Sequence, residues 1–170
     1  MKKKIFILAT ALLAATSLTA CSSNNNDTQG GTKVSKSAQK KAQPKINYYK
    51  IGDTVKVGKV EYTLKSAKAV SERNEFADTK PKNVIKIVYH VKNDSKKDLP
   101  IGTDLNVYGP SNTKLKNYPI NNNTLDSVAA GKEANVTTGF GTKKLGTFEL
   151  QFKSLVDFES KAAKFKVTIK

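Results

Sequence analysis

From residue 51 to the end of the chain, apolar side chains return at every second position, and that period is the strongest constraint the sequence places on its fold. Consecutive side chains of an extended strand point to opposite faces, so alternation marks a strand with one dry and one wet side. In "VEYTL", Val60, Tyr62 and Leu64 fall together, opposite Glu61 and Thr63. In "IKIVYHVK", Ile85, Ile87, Tyr89 and Val91 oppose Lys86, Val88, His90 and Lys92. Ala134, Val136 and Thr138 alternate with Glu133, Asn135 and Thr137. Phe148, Leu150 and Phe152 alternate with Glu149 and Gln151, and Phe165, Val167 and Ile169 with Lys166, Thr168 and Lys170.

Turn-forming residues separate these runs: Gly58-Lys59, Asn93-Asp94-Ser95, Gly109-Pro110-Ser111-Asn112, Asn121-Asn122-Asn123, Ala130-Gly131-Lys132 and the stretch Gly139 to Gly141. Strands with one polar face belong to antiparallel sheets, since parallel sheets are usually covered on both sides. About seven to eight short strands over residues 51–170 predict an all-β, immunoglobulin-like antiparallel β-sandwich. With one cysteine in the chain, no internal disulfide is available, so the sandwich depends on its apolar core, to which a side chain such as Ile87 or Leu150 contributes about 1.5–3 kcal/mol. In "SLVDFESKAAKF", Leu155, Phe158 and Ala162 have helical spacing, and a helical turn and a loop are both compatible with it.

The N-terminus obeys different rules. Lys2, Lys3 and Lys4 precede an apolar run from Ile5 to Ala15, followed by Thr16, Ser17 and the tetrapeptide Leu18-Thr19-Ala20-Cys21. This is the order of a secretory signal peptide, and the run is far shorter than the roughly 20 residues a membrane-spanning helix needs. The tetrapeptide resembles the bacterial lipobox. The resemblance implies transfer of diacylglycerol to the Cys21 sulfur and cleavage between Ala20 and Cys21. Two acyl chains make membrane anchoring stable where one does not, and the modification removes a thiol that would have no partner in an oxidising compartment.

The chain is therefore expected to comprise a cleaved lipoprotein signal peptide (1–20), a lipidated cysteine with a basic tether (21–50) and a folded domain (51–170). The tether is rich in Ser, Asn, Gln, Gly and Lys and almost free of large apolar residues, a composition that does not support a core. As a coil it reaches about 30 Å. The whole sequence carries 30 basic and 14 acidic residues, a formal charge of +16. Such an excess favours polyanionic neighbours, which outside a bacterial membrane are anionic headgroups, teichoic acids or nucleic acid.

Catalytic chemistry finds little to use. His90 is the sole histidine and falls on the polar side of its strand; with Cys21 lipidated, neither a multi-histidine metal site nor a Cys-His pair is available. No G-x-S-x-G elbow is present, which leaves a small hydrolase as a distant alternative. Asp94, Asp98 and Asp104 lack calcium-loop spacing, stand near Lys96 and Lys97, and are expected to bond local turn amides. No metal or cofactor is expected. Single-strand nucleic-acid readers display stacking aromatics, whereas Tyr62, Tyr89, Phe148, Phe152 and Phe165 occupy core positions. Tyr48, Tyr49, Tyr108 and Tyr118 are expected to be exposed but scattered, so specific nucleic-acid recognition is not expected.

The segments "IGDTVKVGKVEYTLKSAK", "NVIKIVYHVKNDSKKDL", "LNVYGPSNTKLKNY", "LDSVAAGKEANVTTGF" and "FELQFKS", closed by "KFKVTIK", resemble the immunoprotective-extracellular, immunoglobulin-like domain of unknown function found in many Gram-positive lipoproteins. The resemblance implies an exported sandwich of seven to eight strands without catalytic residues. The functional expectation is a lipid-anchored extracytoplasmic binding module, held to the outer leaflet of the cell membrane through diacylglyceryl-Cys21. One sheet face or the loops at one end would engage an envelope component, such as an anionic cell-wall polymer, or a protein partner. The alternative is nonspecific association with teichoic acid or anionic lipid.

Overall fold

A computed structural model describes residues 46–170. Pro44–Lys170 forms a compact unit, and its apolar core is drawn from within it. Nine strands follow in order: β1 (Thr54–Val57), β2 (Val60–Val70), β3 (Asn83–Asn93), β4 (Leu99–Ile101), β5 (Leu105–Tyr108), β6 (Asp126–Val128), β7 (Glu133–Thr142), β8 (Gly146–Phe152) and β9 (Ala163–Ile169). One sheet has the order β1-β2-β3-β7, a second β5-β8-β9, and β4 pairs with β6. All named strand pairs are antiparallel. The all-β sandwich is thus present, with three- and four-residue strands bringing the number to nine.

The alternation places the core as expected. Ile85, Ile87, Tyr89 and Val91 of β3 are fully buried, as are Val60, Tyr62 and Leu64 of β2; Val84, on the opposite face of β3, is buried separately with Tyr118 and Ile120. Aromatic rings interlock the two larger sheets. Tyr62 stacks on Phe152 with ring centroids 5.0 Å apart, Tyr89 meets the same ring edge-on at 4.9 Å, and Phe152 meets Phe165 edge-on at 5.4 Å. Such pairs add about 0.5–1.5 kcal/mol each beyond the area they bury.

Two details depart from the sequence reading, and a third settles an alternative it left open. Gly139 and Gly141 lie inside β7 instead of forming a turn, because neighbouring segments approach too closely for a side chain. A Cβ on Gly139 would sit 2.5 Å from the Tyr118 carbonyl oxygen, and one on Gly141 would sit 2.9 Å from Pro81. The stretch 154–162 contains no helix; Phe158 is 86% exposed, so the helical spacing builds no buried face. Finally, pairing begins before Ile51. Tyr49 donates its N–H to Lys164 O at 2.9 Å and accepts from Lys166 N at 3.2 Å, and its ring packs 5.5 Å from that of Phe165.

Candidate binding cleft

At one end of the sandwich, β3 begins, β5 ends and β7 turns into β8. The chain leaving β5 makes a tight reversal: Asn112 N donates to Gly109 O and Gly109 N to Thr113 O, both at 2.9 Å, with Asn112 at a φ of 56°. Asparagine tolerates this left-handed conformation better than most residues. Leu115 N then returns to Val107 O at 2.8 Å, and Tyr118 N reaches Gly139 O at 2.8 Å. The segment thereby crosses from the three-stranded sheet to the free edge of β7.

Between this crossing segment, the loop before β3 and the β7–β8 turn lies a cleft of about 580 Å³. Pro81, Pro110, Leu115 and Tyr118 supply apolar surface, and Lys80, Lys116, Lys143 and Lys144 supply charge. Among the described residues, no carboxylate lines it. All four lysines are exposed, and none enters an ion pair among the described residues. The backbone carrying two of them is fixed: Asn83 Nδ2 donates to Lys143 O at 3.2 Å and Thr142 Oγ1 to Lys144 O at 2.9 Å. Ammonium groups on flexible stems are thus mounted on a held frame, a suitable arrangement for attracting an anion.

A second cavity of about 560 Å³ shares Lys80, Pro81 and Tyr118 with the first and extends along Arg73, Asn74 and Glu75. The Arg73 guanidinium is spent on carbonyls, of Val70 at 3.0 Å, Glu72 at 2.8 Å and Lys82 at 3.0 Å. Tyr118, expected to be exposed, is only 2% exposed. Its hydroxyl accepts from Asn74 N at 2.8 Å and donates to Asn74 O at 3.3 Å, which draws the 71–82 loop over the ring.

The other singled-out residues are dispersed. His90 Nε2 lies 3.8 Å from Glu133 Oε2 on the outer face of the four-stranded sheet. Asp94 contacts Lys92 at 3.1 Å and Lys56 at 3.3 Å, and these bonds hold its carboxyl below the usual range. Asp98 is exposed. Asp104 is a turn acid as expected, but it is only 2% exposed. It does bond a local amide, Gly102 N at 3.0 Å, but it also accepts the Tyr89 hydroxyl, while its Oδ2 is buried without a partner. Burial raises its pKa against the lowering effect of these bonds. Burial and the Asp104 charge also hold Tyr62 and Tyr89 far above the ordinary tyrosine value. Neither cavity reaches Asp104, so its role is to fasten the β4–β5 turn to β3.

Among the described residues, no group of three or more His, Cys, Asp or Glu side chains is placed to hold a metal ion. Tyr48 is half-buried, with its hydroxyl on Glu149 at 2.6 Å and the Lys166 ammonium 3.9 Å from its ring centroid. Tyr49 is exposed and Tyr108 half-buried. Leu18, Thr19, Ala20 and Cys21 lie outside the described residues.

The cleft lysines escaped the sequence reading, yet a signal exists. Three loops repeat Thr-Lys with a second lysine close by: Thr79-Lys80-Pro81-Lys82, Thr113-Lys114-Leu115-Lys116 and Thr142-Lys143-Lys144. Their convergence is not encoded in any one of them. It needs the register that sets Asn83 opposite Thr142 and the crossing segment that brings 113–116 alongside.

The fold and cleft together define a class: a disulfide-free antiparallel β-sandwich with a basic cleft at one end. No protein-family model matches the sequence, and no curated protein matches it. Solved structures share the fold. The ycdA protein of Bacillus subtilis, described as a candidate lipoprotein, aligns with a TM-score of 0.56 at 17% identity over 71% of this chain; the chain spans 39% of that protein's length. The yjhA protein of the same organism aligns with a TM-score of 0.53 at 13% identity, over 72% of this chain and 99% of that one. MPT63, a secreted protein of Mycobacterium tuberculosis, aligns with a TM-score of 0.54 at 8% identity, over 74% and 99%. At these identities the likeness concerns the fold.

Proposed function

We propose that this chain is a lipid-anchored, extracytoplasmic binding module without catalytic activity, which engages an anionic component of the cell envelope through the cleft at the end of its sandwich. One observation carries the reading: four lysines from three separate loops surround a single concave, partly apolar surface, with no carboxylate among the described residues that line it. Ligand sites combine apolar walls with a few convergent polar groups in this way. The leader and the Leu18-Thr19-Ala20-Cys21 motif support export and attachment at Cys21. The cleft holds no histidine, cysteine or carboxylate to act as a general base, which supports a binding role over a hydrolytic one.

The rival reading, nonspecific polyanion association, draws on lysines exposed elsewhere, such as Lys65, Lys96, Lys97 and Lys161. Co-sedimentation of residues 44–170 with purified cell walls, with and without their teichoic acid and across a salt series, separates the two. A cleft-mediated interaction is lost in Lys80→Gln/Lys143→Gln/Lys144→Gln and kept in Lys96→Gln/Lys97→Gln/Lys161→Gln. Equal loss in both triple variants would assign the interaction to net charge alone.

A further inference from the structure

Resting on the reading of the cleft as a ligand site, we infer that its ligand is a segment of a polyol chain linked by phosphodiesters, lying along the two adjoining cavities with successive phosphates over the lysine rim. The two cavities share Lys80, Pro81 and Tyr118 and so adjoin along one wall, which suits an extended ligand better than a compact anion. All four lysines line the first cavity and Lys80 lines both, so the positive charge extends from the first cavity to the edge of the second. Each of three loops contributes one threonine and at least one lysine to the lining: Thr79 with Lys80, Thr113 with Lys116, and Thr142 with Lys143 and Lys144. Thr142 is buried with its hydroxyl on Lys144 O, but the exposed Thr79 and Thr113 hydroxyls stand beside the lysines and suit a ligand that repeats a hydroxylated unit and a single negative charge.

The type of cation narrows the class. The first cavity is lined by lysines and no arginine, and the one arginine of the second is committed to three backbone carbonyls. Planar bidentate recognition of a carboxylate or a terminal phosphate is the work of a free guanidinium, whereas lysine acts as a mobile point charge, sufficient for a diester carrying one delocalised charge. Nucleic acid shares the phosphodiester but needs a face on which bases stack. Among the described residues, the only aromatic ring lining either cavity belongs to Tyr118, which is 2% exposed. The linking unit is therefore small and non-aromatic, its carbons lying over Pro81 and Leu115. Glu75, the one carboxylate lining the second cavity, sets the limit of anionic contact there, leaving the phosphates over Lys80, Lys116, Lys143 and Lys144.

The test is calorimetric titration of residues 44–170, with amide chemical-shift mapping, using a short synthetic oligo(glycerol phosphate). Charge-matched polyglutamate, a thymidine oligonucleotide and phosphatidylglycerol vesicles serve as competitors. The inference expects shifts confined to the three Thr-Lys loops. It also expects a salt slope that falls by about one for each of Lys80, Lys143 and Lys144 replaced by Gln, and weak competition from all three alternatives. Polyglutamate or the oligonucleotide binding the same loops equally well would overturn the phosphodiester-polyol assignment while leaving the cleft as a site. Vesicles that displace the oligomer at equal phosphate would overturn the polymer in favour of a lipid surface. Shifts outside the cleft, or no shifts with any probe, would overturn both the assignment and the cleft reading.

Discussion

Replacing Tyr89 by Phe isolates the one hydroxyl that holds a buried carboxylate. The phenyl ring keeps its packing, 4.9 Å from Phe152 and 6.3 Å from Tyr62 between centroids. What disappears is the bond to Asp104 Oδ1, which leaves that carboxyl with the Gly102 N–H alone, since Oδ2 already has no partner. A hydrogen bond to a charged buried acceptor contributes about 1.5–3 kcal/mol. A folded unit of about 125 residues has an unfolding entropy near 0.26 kcal/mol/K, so the variant should melt about 6–12 °C lower. The pH dependence supplies a second signature. Burial raises the Asp104 pKa in the folded protein, and the Tyr89 bond opposes the rise; removing that bond raises it further. A carboxyl with a raised folded-state pKa contributes stability that is fully present below its unfolded value, about 3.9, and lost as pH rises through the folded value. The penalty of Tyr89→Phe is thus largest near neutral pH and shrinks on acidification, as Asp104 becomes protonated in both proteins. Urea denaturation of wild type and variant across pH measures it, and in an Asp104→Asn background the same substitution should cost only about 1 kcal/mol. A penalty below about 0.5 kcal/mol, or one that is constant with pH, would refute the reasoning.

Other substitutions probe other joints. Asn93 is fully buried, donates to Lys97 O and Val128 O at 2.8 Å each and accepts from Ser95 N and Oγ; Asn93→Ala should destabilise by about 2–4 kcal/mol, and a denaturation midpoint close to wild type would show that water replaces these bonds. Gly139→Ala forces a methyl against the Tyr118 carbonyl and should cost about 1–3 kcal/mol, with shifted resonances at Tyr118; unchanged spectra would contradict the close approach. Cys21→Ser should move the protein from the membrane fraction to the soluble fraction on cell fractionation, and continued membrane association would remove the case for lipid attachment there.

How much of this was legible in the sequence depends on how local each feature is. The alternation in β3 continues unbroken to Asn93, and that strand reads almost completely. In β2 the pattern fades after Leu64 because the register slips between Leu64 and Ser66, a bulge at Lys65 that changes which face the following residues present. Gly139 and Gly141 read as a turn because the partners that require them, Tyr118 and Pro81, lie far away in sequence. Asp104 looked like any turn acid, and its burial follows from β3 lying beneath the β4–β5 turn with Tyr89 positioned to meet it. The cleft was the least legible feature. Each Thr-Lys loop taken alone is an ordinary polar connection, and only strand register and the crossing of 113–118 to β7 bring the three together.

That convergence has an energetic consequence that can be measured without any ligand. The carboxylates in the described ion pairs are Glu61, Asp94, Glu133 and Glu149, and they neutralise Lys56, Lys92, His90 when protonated, and Lys164, all away from the cleft. Lys80, Lys116, Lys143 and Lys144 are left to repel one another. In water, two like charges about 8–10 Å apart repel by roughly 0.4–0.5 kcal/mol, and salt screens such repulsion over a Debye length of about 8–10 Å. Wild type should therefore gain stability on going from low to moderate salt. The Lys80→Gln/Lys143→Gln/Lys144→Gln variant should be more stable than wild type at low salt and should gain less as salt is added. The same removal of three charges at Lys96, Lys97 and Lys161 changes net charge equally but not local density. An equal loss of salt response in both variants would mean that the repulsion belongs to the surface as a whole, and that the lysines at this end of the sandwich are not held in a cluster.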